Sequence, residues 1–165
     1  MIKAIACVDS EWALGKNNDL LFHLKKDMKH FAETTKAGIV VCGYNTLLSF
    51  PKSKPLPGRT TICLCPEEVN RNDCYCIHDF NELVKLLKEL SKTQTIWVIG
   101  GAMLYNSLVD YYDEVLITKV YANGEGTVFF PNLDMNSNFI SEEMSEVQED
   151  NGHKIQLFRY KKLTF

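Results

Sequence analysis

Six short, nearly uninterrupted apolar runs constrain the fold of this chain more than any other feature. They are Ile2 to Val8; Ile39-Val40-Val41-Cys42, ending at Gly43; Thr61 to Cys65; Cys74 to Ile77; Thr95 to Ile99, ending in Gly100-Gly101; and Glu114 to Val120. A strand with one face in water alternates apolar and polar residues, whereas a strand covered on both faces, as in a parallel sheet, reads as a continuous apolar run. The spans between the runs carry helical spacing. Leu24 to Thr34 places Leu24, Met28 and Phe31 on one face. Asp79 with Glu82 three residues on reads as an N-cap and its capping-box partner, opening a helix through Leu83, Leu86, Leu87 and Leu90. Ala102 to Val109 is a shorter helix after the glycine pair. Near the end, Phe139 to Val147 and Lys154 to Tyr160 flank Glu149-Asp150-Asn151-Gly152, and Asn-Gly between extended runs signals a hairpin. The expectation is a single α/β domain over residues 1–165: a central, mostly parallel twisted sheet of about eight strands, ending in an antiparallel C-terminal hairpin and flanked by about four helices.

Composition narrows the function classes. Eighteen Lys and Arg against 21 Asp and Glu give a net charge of −3, with no basic stripe to track nucleic acid. An anion site must therefore be built locally, from a few cations and backbone N–H groups. No apolar run is long enough to span a membrane. The stretch before Cys7 is too short for a signal peptide and reads as a first buried strand. Six cysteines include the pairs Cys63/Cys65 and Cys74/Cys76, whose Cys-x-Cys spacing is not the usual zinc spacing. They read as reduced, partly buried apolar residues of a cytoplasmic protein, with no metal.

Four constellations could carry chemistry. Gly100-Gly101 stands where a strand ends and a helix begins; it is either a tight connection or a place where uncapped N–H groups meet a pyrophosphate. The full Gly-x-Gly-x-x-Gly fingerprint is absent, so an ordinary Rossmann site is not supported. Gly43, followed by Asn45 and Thr46, repeats the arrangement, and the two turns together suit one dinucleotide cradle. Asp27 lies on or beside the apolar stripe of the first helix: either a surface carboxylate, or an inward one that needs a cationic or amidine-like partner. Arg59 ends the stiff loop Lys54-Pro55-Leu56-Pro57-Gly58-Arg59; it is a fork suited to a carboxylate, although a solvated turn residue is the plainer reading.

In order, these pieces resemble the dihydrofolate reductase family over essentially the whole chain. The matching segments include Ile5-Ala6, Leu14 to Phe22, Leu24-Lys25-Lys26-Asp27-Met28, Phe31, Gly43-Tyr44-Asn45-Thr46 and Ser49-Phe50. They continue through Pro55 to Arg59, Val98-Ile99-Gly100-Gly101, Tyr105, Thr118, Gly126 and Phe130-Pro131. The resemblance implies reduction of 7,8-dihydrofolate to tetrahydrofolate by hydride from NADPH, in one-carbon and thymidylate metabolism. It implies a cytoplasmic monomer that binds antifolates but neither nucleic acid nor membrane. On the catalytic side it points to Asp27, paired with the pterin's N3 and 2-amino group, to Thr118 supporting that pair, and to Leu20 and Phe22. The substrate contacts it implies are Ile5, Ala6, Phe31, Phe50, Leu56 and Ile99 around the rings, and Arg59 at the glutamate carboxylate. For the cofactor it implies Ala6, Leu14, Gly15, Asn18, Leu20, Gly43, Tyr44, Asn45, Thr46, Leu64, Cys65, His78, Ile99 and the turn Gly100, Gly101, Ala102, Met103, Leu104, Tyr105. It also implies a cis peptide between Gly100 and Gly101, and a loop over Leu14 to Leu20 that closes on the site.

Some positions depart from the family pattern. Phe22 stands where an indole N–H donor is usual. Leu21 replaces a proline, and Gly126-Thr127-Val128 lacks the usual aspartate; both changes point to a looser closing loop. Tyr44 and Met103 replace arginines that grip the 2′-phosphate, leaving Lys16, Lys52, His78 or Arg71 as substitutes and implying weaker discrimination against NADH. Two alternatives stand beside the main reading. One is a related-fold reductase of flavin or pterin biosynthesis, against which the Asp27 and Arg59 pair argues. The other is a folate-binding module with weakened catalysis, suggested by the loop substitutions. A metal-dependent protein using the Cys-x-Cys pairs is more remote.

Overall fold

The computed structural model describes residues 1–17 and 19–164; Asn18, expected on the cofactor side, lies outside the described residues. The apolar runs become β1 (Ile2–Val8), β4 (Ile39–Gly43), β5 (Thr60–Leu64), β6 (Tyr75–Ile77), β7 (Ile96–Gly100) and β8 (Glu114–Val120). They pair in parallel in the order β8-β1-β7-β4-β5-β6. The helices are α1 (Lys25–Thr35), α2 (Tyr44–Ser49), α3 (Phe80–Leu90) and α4 (Ala102–Ser107). Asp79 caps α3, accepting the Glu82 N–H at 3.1 Å, and Leu83 and Leu87 bury its apolar stripe. After Ser107 the chain tightens into a 3-10 turn at Val109–Tyr111, so α4 stops short of the expected Val109.

The C-terminal third differs from expectation in one respect. Its first arm is two strands, β10 (Phe139–Glu143) and β11 (Gln148–Asp150), both antiparallel to β12 (His153–Lys162), which in turn pairs with β8. Between the two arms the Leu157 carbonyl still accepts the Met144 N–H at 2.8 Å, but its own N–H goes to the Ser145 hydroxyl at 3.1 Å, so a side chain takes one half of the ladder there. Asn151 (φ 50°) and Gly152 (φ 81°) join β11 to β12 in a two-residue turn of the twist that hairpins favour.

The expected closing loop is also more ordered than a loop. Ala13–Lys16 forms β2 and Asp19–Leu20 forms β3, and both belong to a separate three-stranded sheet with β9 (Val128–Phe129). All the parallel strands end at one edge, and in an open α/β sheet that edge is where ligands bind. Among the described residues no helix is long and apolar enough to cross a membrane.

Candidate active site

The sheet brings Cys7 and Thr118 side by side, as register partners near the C-terminal ends of β1 and β8. The first turn of α1 lies over them and supplies Asp27. Thr118 is buried, Cys7 and Asp27 half-buried. Burial pushes the Asp27 carboxyl above its ordinary value; the Thr118 hydroxyl, the His30 charge and the Cys7 thiol pull it back, and the Asp150 charge pushes it further up. Met28, expected on the apolar face of α1, is 58% exposed. It lines a cleft with Cys7, Leu14, Leu20, Phe22 and Asp27, so this stretch of the helix faces an opening rather than the core.

The expected apolar walls largely assemble. Ile5 and Ile99 are buried in one cluster, with Phe31, Phe50 and Leu56 packed against it. Leu20 stands apart on β3, exposed at the cleft mouth. Phe22 borders the cleft, its ring edge-on to His153 at 4.6 Å between centroids. Ala6, expected to contact both ligands, packs into the opposite cluster, because alternate residues of β1 face opposite ways; only its backbone can serve. Arg59 is pinned at the other end of α1. Its Nε donates to Thr35 Oγ1 (3.0 Å), Nη1 to Pro57 O (2.6 Å) and Nη2 to Ala32 O (2.8 Å). A guanidinium has five N–H donors, so one on each terminal nitrogen remains for a carboxylate.

On the other side of β7 the strand ends line up as a cradle. Gly43 pairs in register with Leu64, and Leu64 with Ile77, which sets Tyr44, Cys65 and His78 in a row. Cys42 pairs with Gly100, placing the glycine ends of β4 and β7 together. The Gly100–Gly101 peptide is cis, as expected. Both α2 and α4 start at a glycine N-cap with no side-chain cap, so their first N–H groups are free. A Cβ at Gly101 would come within 3.1 Å of the Thr46 hydroxyl, so a larger residue there would have to displace that side chain. These features fit a pyrophosphate. Leu104 and Tyr105, expected as cofactor contacts, instead turn their side chains into the core. The Tyr105 hydroxyl donates to Ile5 O at 2.7 Å, bracing the strand end from below.

Of the four candidate substitutes for the lost arginines, Arg71 is committed to Asp73 (2.7 and 2.9 Å) and to Ser53 O (2.7 Å). Lys16, Lys52 and His78 are exposed, and His78 alone sits in the row of strand ends, its Nδ1 3.0 Å from Pro66 O. The cysteine pairs pack with Cys42 into the apolar cluster beneath this row. Burial and neighbouring thiols push Cys74 up to about 12, the range of an inert thiol.

Three residues escaped the sequence reading. From sequence Cys7 is one more apolar residue within the run Ile2 to Val8. Asp9 is a buried carboxylate that accepts the N–H groups of Glu11, Ala13 and Gly124, each at 2.9 Å. Asp150 is a buried carboxylate at the start of α1. An aspartate directly after a buried strand was a usable signal for Asp9; nothing in the spacing pointed from Asp150 to α1. The loop has backbone and packing contacts of its own to the segment around Gly126. Thr127 N–H donates to Gly15 O at 2.9 Å, and Gly126 lies so close to the loop that a Cβ there would fall 2.6 Å from the Ala13 Cβ.

Comparison with known proteins agrees with this geometry. The family model described as dihydrofolate reductase matches residues 1–162. A dihydrofolate reductase of Bacillus subtilis (strain 168) is 29% identical, covering 98% of this chain and 95% of its own. That of Mus musculus is 27% identical, covering 98% and 97%. The structure of dihydrofolate reductase from Enterococcus faecalis, complexed with NADP(H) and RAB-propyl, superposes with a TM-score of 0.81 at 28% identity, covering 99% of this chain and 97% of its own.

Proposed function

The chain belongs to the dihydrofolate reductase family, and we propose that it reduces 7,8-dihydrofolate to 5,6,7,8-tetrahydrofolate with NADPH as the hydride donor. The observation that carries this reading is Asp27, half-buried and facing Thr118 and Cys7 with no cation of its own chain in an ion pair among the described residues. Such a carboxylate suits the N3 and 2-amino edge of a pterin. Ile5, Ile99, Phe31, Phe50 and Leu56 enclose the rings, and the two remaining N–H groups of Arg59 take the tail carboxylate. The glycine-ended turns at Gly43 and Gly100-Gly101 hold the dinucleotide, which supplies the hydride for C6. The chain's own work is positioning. Asp27 polarises the ring from N3, too far from N5 to protonate it, so water delivers that proton. The β2–β3 hairpin covers the site and excludes bulk water.

The firm anchoring of that hairpin supports catalysis over a binding module that has lost it. With Tyr44 and Met103 in place of arginines, and His78 the one cation-capable group in the strand-end row, we propose reduced discrimination between NADPH and NADH. We place the protein in the cytoplasm as a monomer. The test is to mix the purified protein with dihydrofolate and NADPH and follow the absorbance of the reduced nicotinamide. Antifolate binding without any cofactor oxidation would overturn the assignment.

A further inference from the structure

The start of α1 is capped from the far end of the chain. A helix N-terminus leaves N–H groups unpaired, and an N-cap side chain ordinarily accepts one of them. Here the N-cap is Leu24, which has no acceptor. Asp150 substitutes: its Oδ2 accepts the Lys26 N–H at 2.8 Å and, more weakly, the Asp27 N–H at 3.3 Å. Asp150 is only 6% exposed. The tight turn after β11 sets it there and also fixes the approach to the helix, because Asn151 Nδ2 donates to His23 O at 3.0 Å.

Asp27 occupies the third helical position. From there an acidic side chain can turn back onto the free N–H groups of its own helix start. We infer that Asp150 is a positioning residue for Asp27: by taking the N–H groups at the helix start, it leaves the Asp27 carboxylate to project across the cleft toward Thr118, Cys7 and the pterin edge. The inference rests on the role proposed above for Asp27. A neutral acceptor would still cap the helix, though more weakly than a carboxylate, so the acceptor and the buried charge can be removed separately. The titratable groups around Asp27 are Cys7 on β1, Asp9 after it, tied to three backbone N–H groups, His30 on α1, Tyr105 on α4 and Asp150 on β11. Of the two other carboxylates, Asp150 is the one whose charge makes Asp27 harder to ionise.

Two substitutions separate the effects. Asp150→Asn keeps an acceptor for the helix and removes the charge; Asp150→Ala removes both. Binding of a 2,4-diaminopyrimidine antifolate across pH, read by tryptophan fluorescence, reports on Asp27, and NADPH binding reports on the rest of the fold. Asp150→Ala should lose about tenfold or more in diaminopyrimidine affinity, the scale of one charge-assisted hydrogen bond, with NADPH affinity unchanged. Asp150→Asn should keep its affinity at neutral pH and move the acid limb of its pH profile to lower pH. An unmoved acid limb in Asp150→Asn overturns the electrostatic effect on Asp27, and a diaminopyrimidine affinity unchanged in Asp150→Ala, or in Asp150→Ser should the alanine variant not fold, overturns the positioning role. An Asp150→Ala protein that merely melts earlier, or that loses NADPH affinity equally, overturns it as well. Asp27→Asn measured alongside keeps the two failures distinct. If it binds the diaminopyrimidine like the wild type, the role of Asp27 falls and that of Asp150 with it. If it loses binding while Asp150→Ala does not, only the inference about Asp150 falls.

Discussion

Asp9 should be worth several kcal/mol, and the way its hydrogen bonds divide predicts which substitution hurts and where. The residue is 3% exposed in the turn between β1 and β2. One oxygen, Oδ1, accepts the N–H groups of Glu11 and Ala13, and the other, Oδ2, accepts that of Gly124. The carboxylate therefore ties the root of the closing hairpin to the connection between β8 and β9. An amide at this position has a single acceptor. In Asp9→Asn the cheaper orientation keeps the oxygen on Glu11 and Ala13, and turns the NH2 group onto the Gly124 N–H, donor against donor. One hydrogen bond to a charged group is lost and a sheltered N–H is left unpaired, which together cost about 2–4 kcal/mol. Asp9→Ala forgoes all three bonds and should cost about 3–5 kcal/mol, close to the upper end for a single substitution. Both fit within the ~5–15 kcal/mol total of a small domain, so both variants should fold. Urea unfolding at neutral pH measures the loss, and hydrogen exchange at the Gly124 amide locates it. Leu21 and Phe22 pack on Gly124, where a Cβ would lie 3.0–3.1 Å from them, so kcat/KM should also fall as the hairpin loosens. A loss below about 0.5 kcal/mol in Asp9→Asn, the range of an ordinary surface change, or a Gly124 amide as protected as before, would refute the reasoning.

Ionising Asp27 should cost the ligand-free protein stability. Its native value is raised, so between the ordinary carboxylate value and that raised value the native state holds the proton more tightly, and stability falls as pH rises. Asp27→Asn should therefore melt above the wild type at neutral pH, by a margin that shrinks on acidification, while turnover drops by orders of magnitude; paired melting curves at acid and neutral pH check the sign. Gly126→Ala should cost about 1–3 kcal/mol and lower turnover, because the new methyl would lie 2.6 Å from the Ala13 Cβ and 3.0 Å from Gly15 O; an unchanged melting temperature and rate would show that the hairpin yields freely. Tyr44→Arg should raise the preference for NADPH over NADH in steady-state kinetics by restoring a cation beside Cys65 and His78, and an unchanged ratio would place the 2′-phosphate elsewhere.

The parts of the fold legible in the sequence were those set by local pattern. Ile2–Val8 and Glu114–Val120 are strands with the expected bounds because both faces of each are covered, and Asp79 caps α3 because the acceptor and its N–H partner lie three residues apart. The two-residue strands β3 and β9 carried no such pattern: Leu20, Val128 and Phe129 are exposed, and pairing of the backbone alone defines them. The break between β10 and β11 was hidden for a similar reason, since it depends on one Ser145 hydroxyl meeting a backbone N–H twelve residues away. At the site, the resemblance named Asp27, Thr118 and Arg59, and the structure brings the first two together and anchors the third. It could not say that Ala6 turns away or that Leu104 and Tyr105 point inward, because those facts follow from strand alternation and helix phase in three dimensions. Asp150 lies 123 residues from the N–H of Asp27 that it accepts, a separation no local spacing rule spans.

The three buried or half-buried carboxylates around the cleft show how the site selects its ligand. Asp9 has three backbone N–H partners and Asp150 has the start of a helix, so both charges are met by fixed dipoles of the protein. Asp27, between them, receives no backbone N–H among the described residues; a hydroxyl, a thiol and a histidine one turn along its helix are what oppose its desolvation. If the purpose of the cleft were rigidity alone, this would be the carboxylate to replace, because an under-served charge costs stability. Its position becomes favourable only when a flat, donor-rich edge enters the cleft and completes its hydrogen bonds. The same comparison explains why the neighbouring carboxylates are satisfied so fully: with their own needs met by backbone, neither Asp9 nor Asp150 competes for the ligand's donors, and Asp27 alone defines where a pterin edge can dock.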